Sequence, residues 1–427
     1  MVALEKLLLV WKIKEVRNKI LFVMGLLMIF RLVAHIPIPG VNITALQNFF
    51  QSNQFLGLLN VFSGGGYDTF SLVMLGVGPY ITASIIFQLL TMIVPALERL
   101  QKEGERGQEK INQWTRYLTV PLAALSAYGT ITLIRRSSPL IIPNMGVFEL
   151  AAAIIAITAG TLFLMWLGEL ITEKKIGNGI SLIIFAGIVS SVPTSMFRTF
   201  SIFDSSQLLQ LVMFIVIGLV TIVGVVFITE AIRKIPVSYA RRIRGNQMYG
   251  GTDTYLPMRV NQAGVIPIIF AISIVLTPSL LAQFFVNAKV TWLASLAQIV
   301  NRVFQQGGVI YDSLYFLLVF AFTYFYTAVV FHPSQVAENL QKQGGFIPGI
   351  RPGHMTAEYL GYVSNRIILA GAIFLGVIAV MPNIVQRLTN VTTLIVGGTS
   401  LLIVVSVVIE TVKQIEAQLI VRDYEGF

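Results

Sequence analysis

The sequence predicts an all-α polytopic membrane protein with ten transmembrane helices, and three observations carry that prediction. Of its 427 residues, 55% are hydrophobic and only 12% charged, at a mean hydropathy of +0.78. A soluble domain uses about 25% charged residues to coat its surface, so this composition excludes a water-soluble enzyme. Ten apolar runs succeed one another along the chain, each near the roughly 20 residues that cross a bilayer as a helix. The basic residues, finally, are sorted onto one side of those runs.

In chain order, the first run, residues 20–36, follows Lys6, Lys12, Lys14, Arg17 and Lys19 and holds only Arg31 and His35 as ionisable groups. A secretory leader would be followed by a small-x-small cleavage site. Here Ile36-Pro-Ile-Pro-Gly40 follows instead, so the run is read as a retained first span and the chain as unprocessed. The other nine runs are residues 70–97, 117–134, 148–167, 180–196, 208–228, 263–286, 314–331, 367–384 and 394–409. Several lie at the short end of the spanning range, and one is expected to tilt or break within the bilayer.

With the N-terminus taken as cytoplasmic, 23 of the 30 Lys and Arg fall on that side, 6 on the other, and Arg31 lies within span 1. The net charge of +10 is then topogenic, and both termini are expected inside. Ten spans divide at an external hinge, residues 197–207, into halves 20–196 and 208–411, with residues 1–19 and 412–427 as cytoplasmic ends. Halves with an odd number of spans insert in opposite orientations, so inverted repeats of the kind many transport proteins use are permitted. No residue-level likeness between the halves is visible.

Groups that carry chemistry are sparse in the spans. Ion-coupled transporters keep ionisable side chains at mid-bilayer, where they are costly and therefore functional. Here Asp68, Asp204, Asp253, Asp312 and Asp423 fall in loops, a tail or a span end, and Glu149, Glu169, Glu230 and Glu410 at span ends. An intramembrane protease needs a Ser/His pair or two aspartates within the bilayer. His35, His332 and His354 lie at span ends or in loops, too scattered for a metal site as well. Cysteine is absent, which removes disulfides, thiolate ligands and thiol nucleophiles. Gly177-Asn-Gly-Ile-Ser181 reads as a turn opening span 5, with Gly179 near the helix start.

Two cytoplasmic loops stand out for length, residues 233–262, which are basic, and 332–365, rich in glycine and turn residues. A basic cytoplasmic loop suits lipid headgroups, RNA phosphates or an acidic protein surface alike, or is simply topogenic. After span 1, Phe55-Leu-Gly-Leu-Leu-Asn-Val-Phe62 is apolar but too short to cross, and Ser63-Gly-Gly-Gly66 follows. It is either a re-entrant half-helix beside an outer cavity or an amphipathic helix on the outer surface.

Specific strings then carry a resemblance: Ile36-Pro-Ile-Pro-Gly40, Phe62-Ser-Gly-Gly65, Pro79-Tyr-Ile-Thr-Ala-Ser-Ile-Ile86, Lys102-Glu-Gly-Glu105, Gly177-Asn-Gly-Ile-Ser181, Ala263-Gly-Val-Ile-Pro267, Pro348-Gly-Ile-Arg-Pro-Gly353 and Gly397-Gly-Thr-Ser-Leu-Leu-Ile403. In this order, across nearly the whole chain, the sequence resembles the SecY family.

The resemblance implies a protein-conducting channel rather than an enzyme. Two inverted five-helix halves would surround a central hourglass pore, sealed by an apolar ring and an outer plug and opening sideways to lipid through a lateral gate. The pore ring it implies is Val77, Ile81, Ile180, Ile184, Ile269 and Ile403, all aliphatic. Val77/Ile81 and Ile180/Ile184 are i,i+4 pairs, each on one helix face, and branched aliphatic side chains exclude water and ions without gripping a passing peptide. Isoleucine fills membrane helices everywhere, so only the motif match singles out these six. Residues 55–66 would be the plug, with Phe55, Leu58, Leu59, Asn60 and Phe62 in it and Gly64 and Gly65 at its hinge. Gln88 and Asn261 would be polar members of a gate seam between spans 2 and 3 on one side and 7 and 8 on the other.

By the same resemblance the SecA motor ATPase or the ribosome would dock on the two long loops, with Arg241, Arg242, Arg244 and Arg351 as contacts. Turns on both sides would hold Arg351 at a loop tip, where a guanidinium pairs bidentately with carboxylate or phosphate. Asn246-Gln247 stand where some relatives carry two basic residues, so no ribosomal contact is assigned to them. SecE-like and SecG-like small membrane subunits, translocating polypeptides, signal sequences and membrane lipids are the other implied partners, with SecDF and YidC as accessories. No cofactor and no metal is implied, and the expected location is the bacterial plasma membrane. The alternative is a small-solute secondary transporter with inverted repeats, which would call for polar or ionisable groups within the spans.

Overall fold

The computed structural model describes residues 11–52, 63–137, 141–142, 145–201, 208–239, 242–244, 247–249, 254–286, 290–304, 308–389 and 398–425. Its N-terminal part runs α1 (Lys14–Ala34), α2 (Ile43–Ser52), α3 (Gly78–Ile93), α4 (Pro95–Lys102), α5 (Glu105–Ser137), α6 (Val147–Glu173) and α7 (Gly179–Ser201). Next come α8 (Leu208–Glu230), β1 (Ile232–Tyr239), β2 (Arg242–Arg244), β3 (Gln247–Tyr249), β4 (Thr254–Arg259) and α9 (Ile266–Phe285). The chain finishes with α10 (Thr291–Val303), α11 (Val309–Val330), α12 (Pro333–Lys342), β5 (Gly345–Phe346), α13 (His354–Thr389) and α14 (Gly398–Glu425).

Every apolar run of the sequence overlaps a helix: α1, α3, α5, α6, α7, α8, α9, α11, α13 and α14 in order. Among the described residues, Glu105–Arg135, Val147–Glu173, Val309–Lys342 and His354–Val385 are long and apolar enough to cross a membrane on length and composition alone. Helices α3 and α4 would make a fifth if taken as one span, bent by 101°. The bend follows from Pro95, which opens α4 and forces Val94 into an extended conformation (φ −99°, ψ 110°).

The run 70–97 is not helical from its start, because residues 63–77 fold as turns before α3 begins. Gly64 (φ +72°), Gly65 (φ +85°) and Gly76 (φ +57°) supply conformations that a helix does not use. This segment is stitched to the end of α1: Ile38 N–H donates to the Phe70 carbonyl at 3.0 Å, Leu72 N–H to Ile36 at 3.2 Å, and the Thr69 hydroxyl to Ala34 at 2.9 Å.

The expectation of an all-α chain needs correction, since both long loops carry strands. β1 pairs antiparallel with β4 from Ile232↔Arg259 to Val237↔Thr254, and with β5 at Ser238↔Phe346 and Tyr239↔Gly345, so the sheet order is β4-β1-β5. β2 and β3 form a separate hairpin. The two loops, apart in sequence, are therefore one unit. Ile235 and Val237 are buried while Lys234 and Pro236 are exposed, the period of two expected of a sheet with one covered face. Met258, Leu340, Ile347 and Leu360 complete the small core beneath it.

Two larger apolar clusters lie among the helices. One gathers Ile38, Leu46, Tyr67, Phe70, Met74, Ile131, Ile134 and Ile157 around the end of α1 and the 63–77 turns. The other joins residues of both sequence halves, from Val23 and Phe30 of α1 through Leu164 of α6 and Ile184 of α7 to Ile269 of α9, Val319 of α11, Leu375 of α13 and Ile403 of α14.

Candidate channel seal and docking face

All six residues expected in the ring belong to that last cluster or pack against it. Val77, Ile184, Ile269 and Ile403 are buried members, and Ile81 and Ile180 are partly buried against them. Each comes from the beginning of a helix. Val77 caps α3 and Ile81 lies in its first turn, with Ile81 N–H donating to the Val77 carbonyl at 3.0 Å. Ile180 and Ile184 are in the first two turns of α7, Ile269 in the first of α9 and Ile403 in the second of α14.

The start of α7 is fixed by side chains and by the absence of one. Asn178 Oδ1 accepts from Ser181 N–H at 3.1 Å, an N-cap, and Thr172 Oγ1 accepts from Gly179 N–H at 3.0 Å. A Cβ on Gly179 would lie 1.8 Å from the Gly168 carbonyl oxygen, so only glycine lets α7 approach α6 this closely. That contact, rather than torsional freedom alone, explains the Gly-Asn-Gly turn and sets the height of Ile180 and Ile184.

Of the plug positions, Phe55, Leu58, Leu59, Asn60 and Phe62 lie outside the described residues. Gly64 and Gly65 are described, and Gly64 is wedged between two helices. A Cβ there would meet Gly187 Cα of α7 at 2.9 Å and Phe30 Cζ of α1 at 3.0 Å. The Arg31 guanidinium donates to the Gly64 carbonyl. The one basic residue inside the first apolar run is thereby given a task that the sequence did not disclose.

Gln88, on α3, reaches Ser84 Oγ with its amide nitrogen at 3.4 Å, and its Oε1 is buried with no hydrogen-bond partner among the described residues. Asn261, between β4 and α9, is buried with Oδ1 in the same condition. No hydrogen bond joins the two among the described residues. Gln262 carries a third such oxygen, Oε1, beside Asn261, a neighbour the sequence did not single out.

Asp312 lies at a span end as expected, in the first turn of α11, which begins at Val309, and it is buried there. Its carboxylate accepts from Asn383 Nδ2 at 2.6 Å and pairs with Arg387, both on α13. Two further ion pairs bridge helices, Arg116–Glu169 between α5 and α6 and Lys413–Glu230 between α14 and α8, each at 2.7 Å.

At the sheet, Arg351 is exposed and follows β5 in the loop that leads to α13. Gly349 (φ +82°) and Gly353 (φ +95°) turn the chain on either side, Ile350 is partly buried against the sheet core, and the Arg351 carbonyl accepts from Thr356 Oγ1 at 2.9 Å. The backbone is thus pinned while the guanidinium points outward. Arg242 and Arg244 belong to β2, whose backbone alone is described, and Arg241 lies outside the described residues.

The comparisons with known proteins agree with one another. The SecY family profile matches residues 71–412. The protein translocase subunit SecY of Streptomyces scabiei is 44% identical over 98% of this chain and 98% of its own length, and that of Mycobacterium tuberculosis 43% identical over 97% of each. Among solved structures, the fold is similar to that of a protein-conducting channel (TM-score 0.60, 18% identity, 92% of this chain and 90% of that one). It is similar also to a SecY channel whose plug domain stabilises the closed state and maintains a membrane seal (TM-score 0.61, 18% identity, 92% and 91%). A third similar structure is canine Sec61 in a ribosome–channel complex (TM-score 0.55, 17% identity, 92% and 90%). On a profile covering most of its length and relatives aligned nearly end to end, the chain belongs to the SecY family.

Proposed function

We propose that this chain is the pore subunit of a protein translocase, a passive channel that exports unfolded polypeptides and releases apolar segments sideways into lipid. One observation beyond family membership supports the reading most. Aliphatic side chains from four helices, two in each half, pack into one cluster at the helix starts. Such a contact excludes water while closed and leaves no orphaned polar group when a peptide parts it. A solute transporter would want ionisable partners at that point, and the six ring side chains are all aliphatic.

In this reading ten spans form two inverted halves, 20–196 and 208–411, joined at 197–207, with both ends cytoplasmic in a bacterial plasma membrane. Val77, Ile81, Ile180, Ile184, Ile269 and Ile403 form the pore ring. Residues 55–66 are the plug, held at Gly64 by Arg31, and Gln88 and Asn261 line the lateral gate. The turns of residues 63–77 that lead into α3 beside the ring are non-helical backbone of the kind tolerated where protein or a water-filled vestibule surrounds it. The sheet unit, with Arg241, Arg242, Arg244 and Arg351, receives the SecA motor or the ribosome, and SecE-like and SecG-like subunits complete the channel. Proteoliposomes containing the chain with these small subunits, supplied with SecA and ATP, should protect a secretory polypeptide from added protease. Liposomes with the small subunits alone should not, and equal protection in the two would refute the proposal.

A further inference from the structure

Helix α10 (Thr291–Val303) was not among the apolar runs, and its residues divide into three sectors around its axis rather than two. Leu293, Ala297, Val300 and Asn301 turn toward the protein; Ala297 is buried, and Asn301 Oδ1 accepts from Ser279 Oγ of α9 at 3.0 Å. Trp292, Leu296 and Ile299, at i, i+4 and i+7, are 63%, 49% and 57% exposed. Thr291, Ser295, Gln298 and Arg302 form a second exposed stripe at i, i+4, i+7 and i+11. At about 100° per residue the two exposed stripes are roughly a quarter-turn apart. A helix on a soluble protein has one apolar and one polar side, and a spanning helix is apolar nearly all round. Three sectors match a helix at the junction of protein, hydrocarbon and water.

We propose that α10 is an interfacial helix that docks on the lipid surface at the end of spans 7 and 8. Trp292, Leu296 and Ile299 enter the boundary between headgroups and acyl chains, and the Thr291–Arg302 stripe faces water, with Arg302 set to meet lipid phosphate. The occupant is lipid because the apolar stripe is flanked along the chain by other exposed apolar residues at the ends of its neighbours: Leu281 and Phe285 close α9, and Val309 and Ile310 open α11. Tryptophan is the side chain favoured at that depth, and an amphipathic helix with a polar flank lies in the interface rather than across it. Bound to α9 through Ser279, the helix fixes the depth of that end of span 7. The inference rests on the membrane-channel reading, and its test separates the two.

The cysteine-free chain allows single spin labels in proteoliposomes of phosphatidylcholine and phosphatidylglycerol, with the small subunits present. Labels are placed at Trp292→Cys, Leu296→Cys and Ile299→Cys, at Thr291→Cys, Ser295→Cys and Gln298→Cys, and at Leu317→Cys on α11 as the lipid-facing control. The ratio of collision rates with oxygen to those with a water-soluble nickel chelate should be several-fold higher at the first three sites than at the second three, and high at Leu317. Equal ratios on both stripes, with Leu317 in lipid, would overturn the docking of α10 alone. Labels at the apolar stripe closed to both reagents would also overturn it, assigning that face to a protein partner. An aqueous ratio at Leu317 would overturn the membrane reading and this inference together.

Discussion

Val77, Ile184, Ile269 and Ile403 share one apolar cluster whose aliphatic side chains make no directional bonds, whereas the β4-β1-β5 sheet is registered residue by residue through its backbone. The difference suits two tasks. Non-directional aliphatic contacts can separate and re-form at a cost proportional to the area exposed, roughly 25 cal/mol per Å², and strand no polar atom when they do. A hydrogen-bonded sheet resists such parting, and so can hold Arg351 at a constant place for a partner. In the proposed channel the yielding contact lies on the substrate's path and the rigid one under the partner's docking face.

That contrast can be broken at either end. The largest effect is expected from Arg351→Glu, which should weaken motor or ribosome binding by about 2–5 kcal/mol, the usual loss on removing one member of a hydrogen-bonded charge pair buried in an interface. Ion leak through the reconstituted channel should stay unchanged, and Arg351→Lys should restore part of the binding. A rise in leak would mean that the sheet is not independent of the seal. Next is Asp312→Ala, which leaves Asn383 and Arg387 without their carboxylate. It should cost about 2 kcal/mol in thermal unfolding, less than a fully buried pair because Arg387 keeps contact with water.

The double variant Ile184→Ser and Ile403→Ser should raise ion leak about tenfold, equivalent to 1.4 kcal/mol, with partner binding at Arg351 intact. An unchanged leak would place the seal elsewhere. The smallest effect belongs to Glu338, beside Lys342 on α12, whose carboxyl is held below its ordinary 4.5 by the hydrogen bond and charge of that lysine. Its contribution to stability is fully present above pH 4.5 and is lost as pH falls through the lowered value. Glu338→Gln should abolish that slight acid dependence, lowering stability slightly at neutral pH and leaving it unchanged well below the lowered value.

How much of this was legible in the sequence differs between the two regions for physical reasons. The positions of the ten helices that overlap apolar runs followed from those runs, but not their lengths, and the shorter α2, α4, α10 and α12 did not. Pro95 and the glycines of residues 64–76 shorten α3, and Ile81 and Ile184 cannot be told from any other membrane isoleucine by periodicity. Their selection came from the motif strings. In the first long loop, Ile235 and Val237 did alternate with Lys234 and Pro236, a strand signal obscured by Pro236 and Pro257, which argue against interior strands. Pro236 is accommodated because β5 pairs only with Ser238 and Tyr239, leaving the other side of Pro236 outside the ladder. The pairing of the two loops is long-range and left no local trace. The same holds for Asp312, whose partner Asn383 is 71 residues away, and for Arg31, whose acceptor is a backbone carbonyl.

If a polypeptide passes between the aliphatic side chains of the ring, a single cysteine in this cysteine-free chain detects it directly. With Ile184→Cys in proteoliposomes containing the partner subunits, a stalled secretory chain bearing one cysteine should form a disulfide adduct at that site. Leu317→Cys, on the exposed side of α11, should form none. An engaged, stalled chain that gives no adduct at Ile184→Cys, or equal adducts at both sites, would contradict passage through the ring.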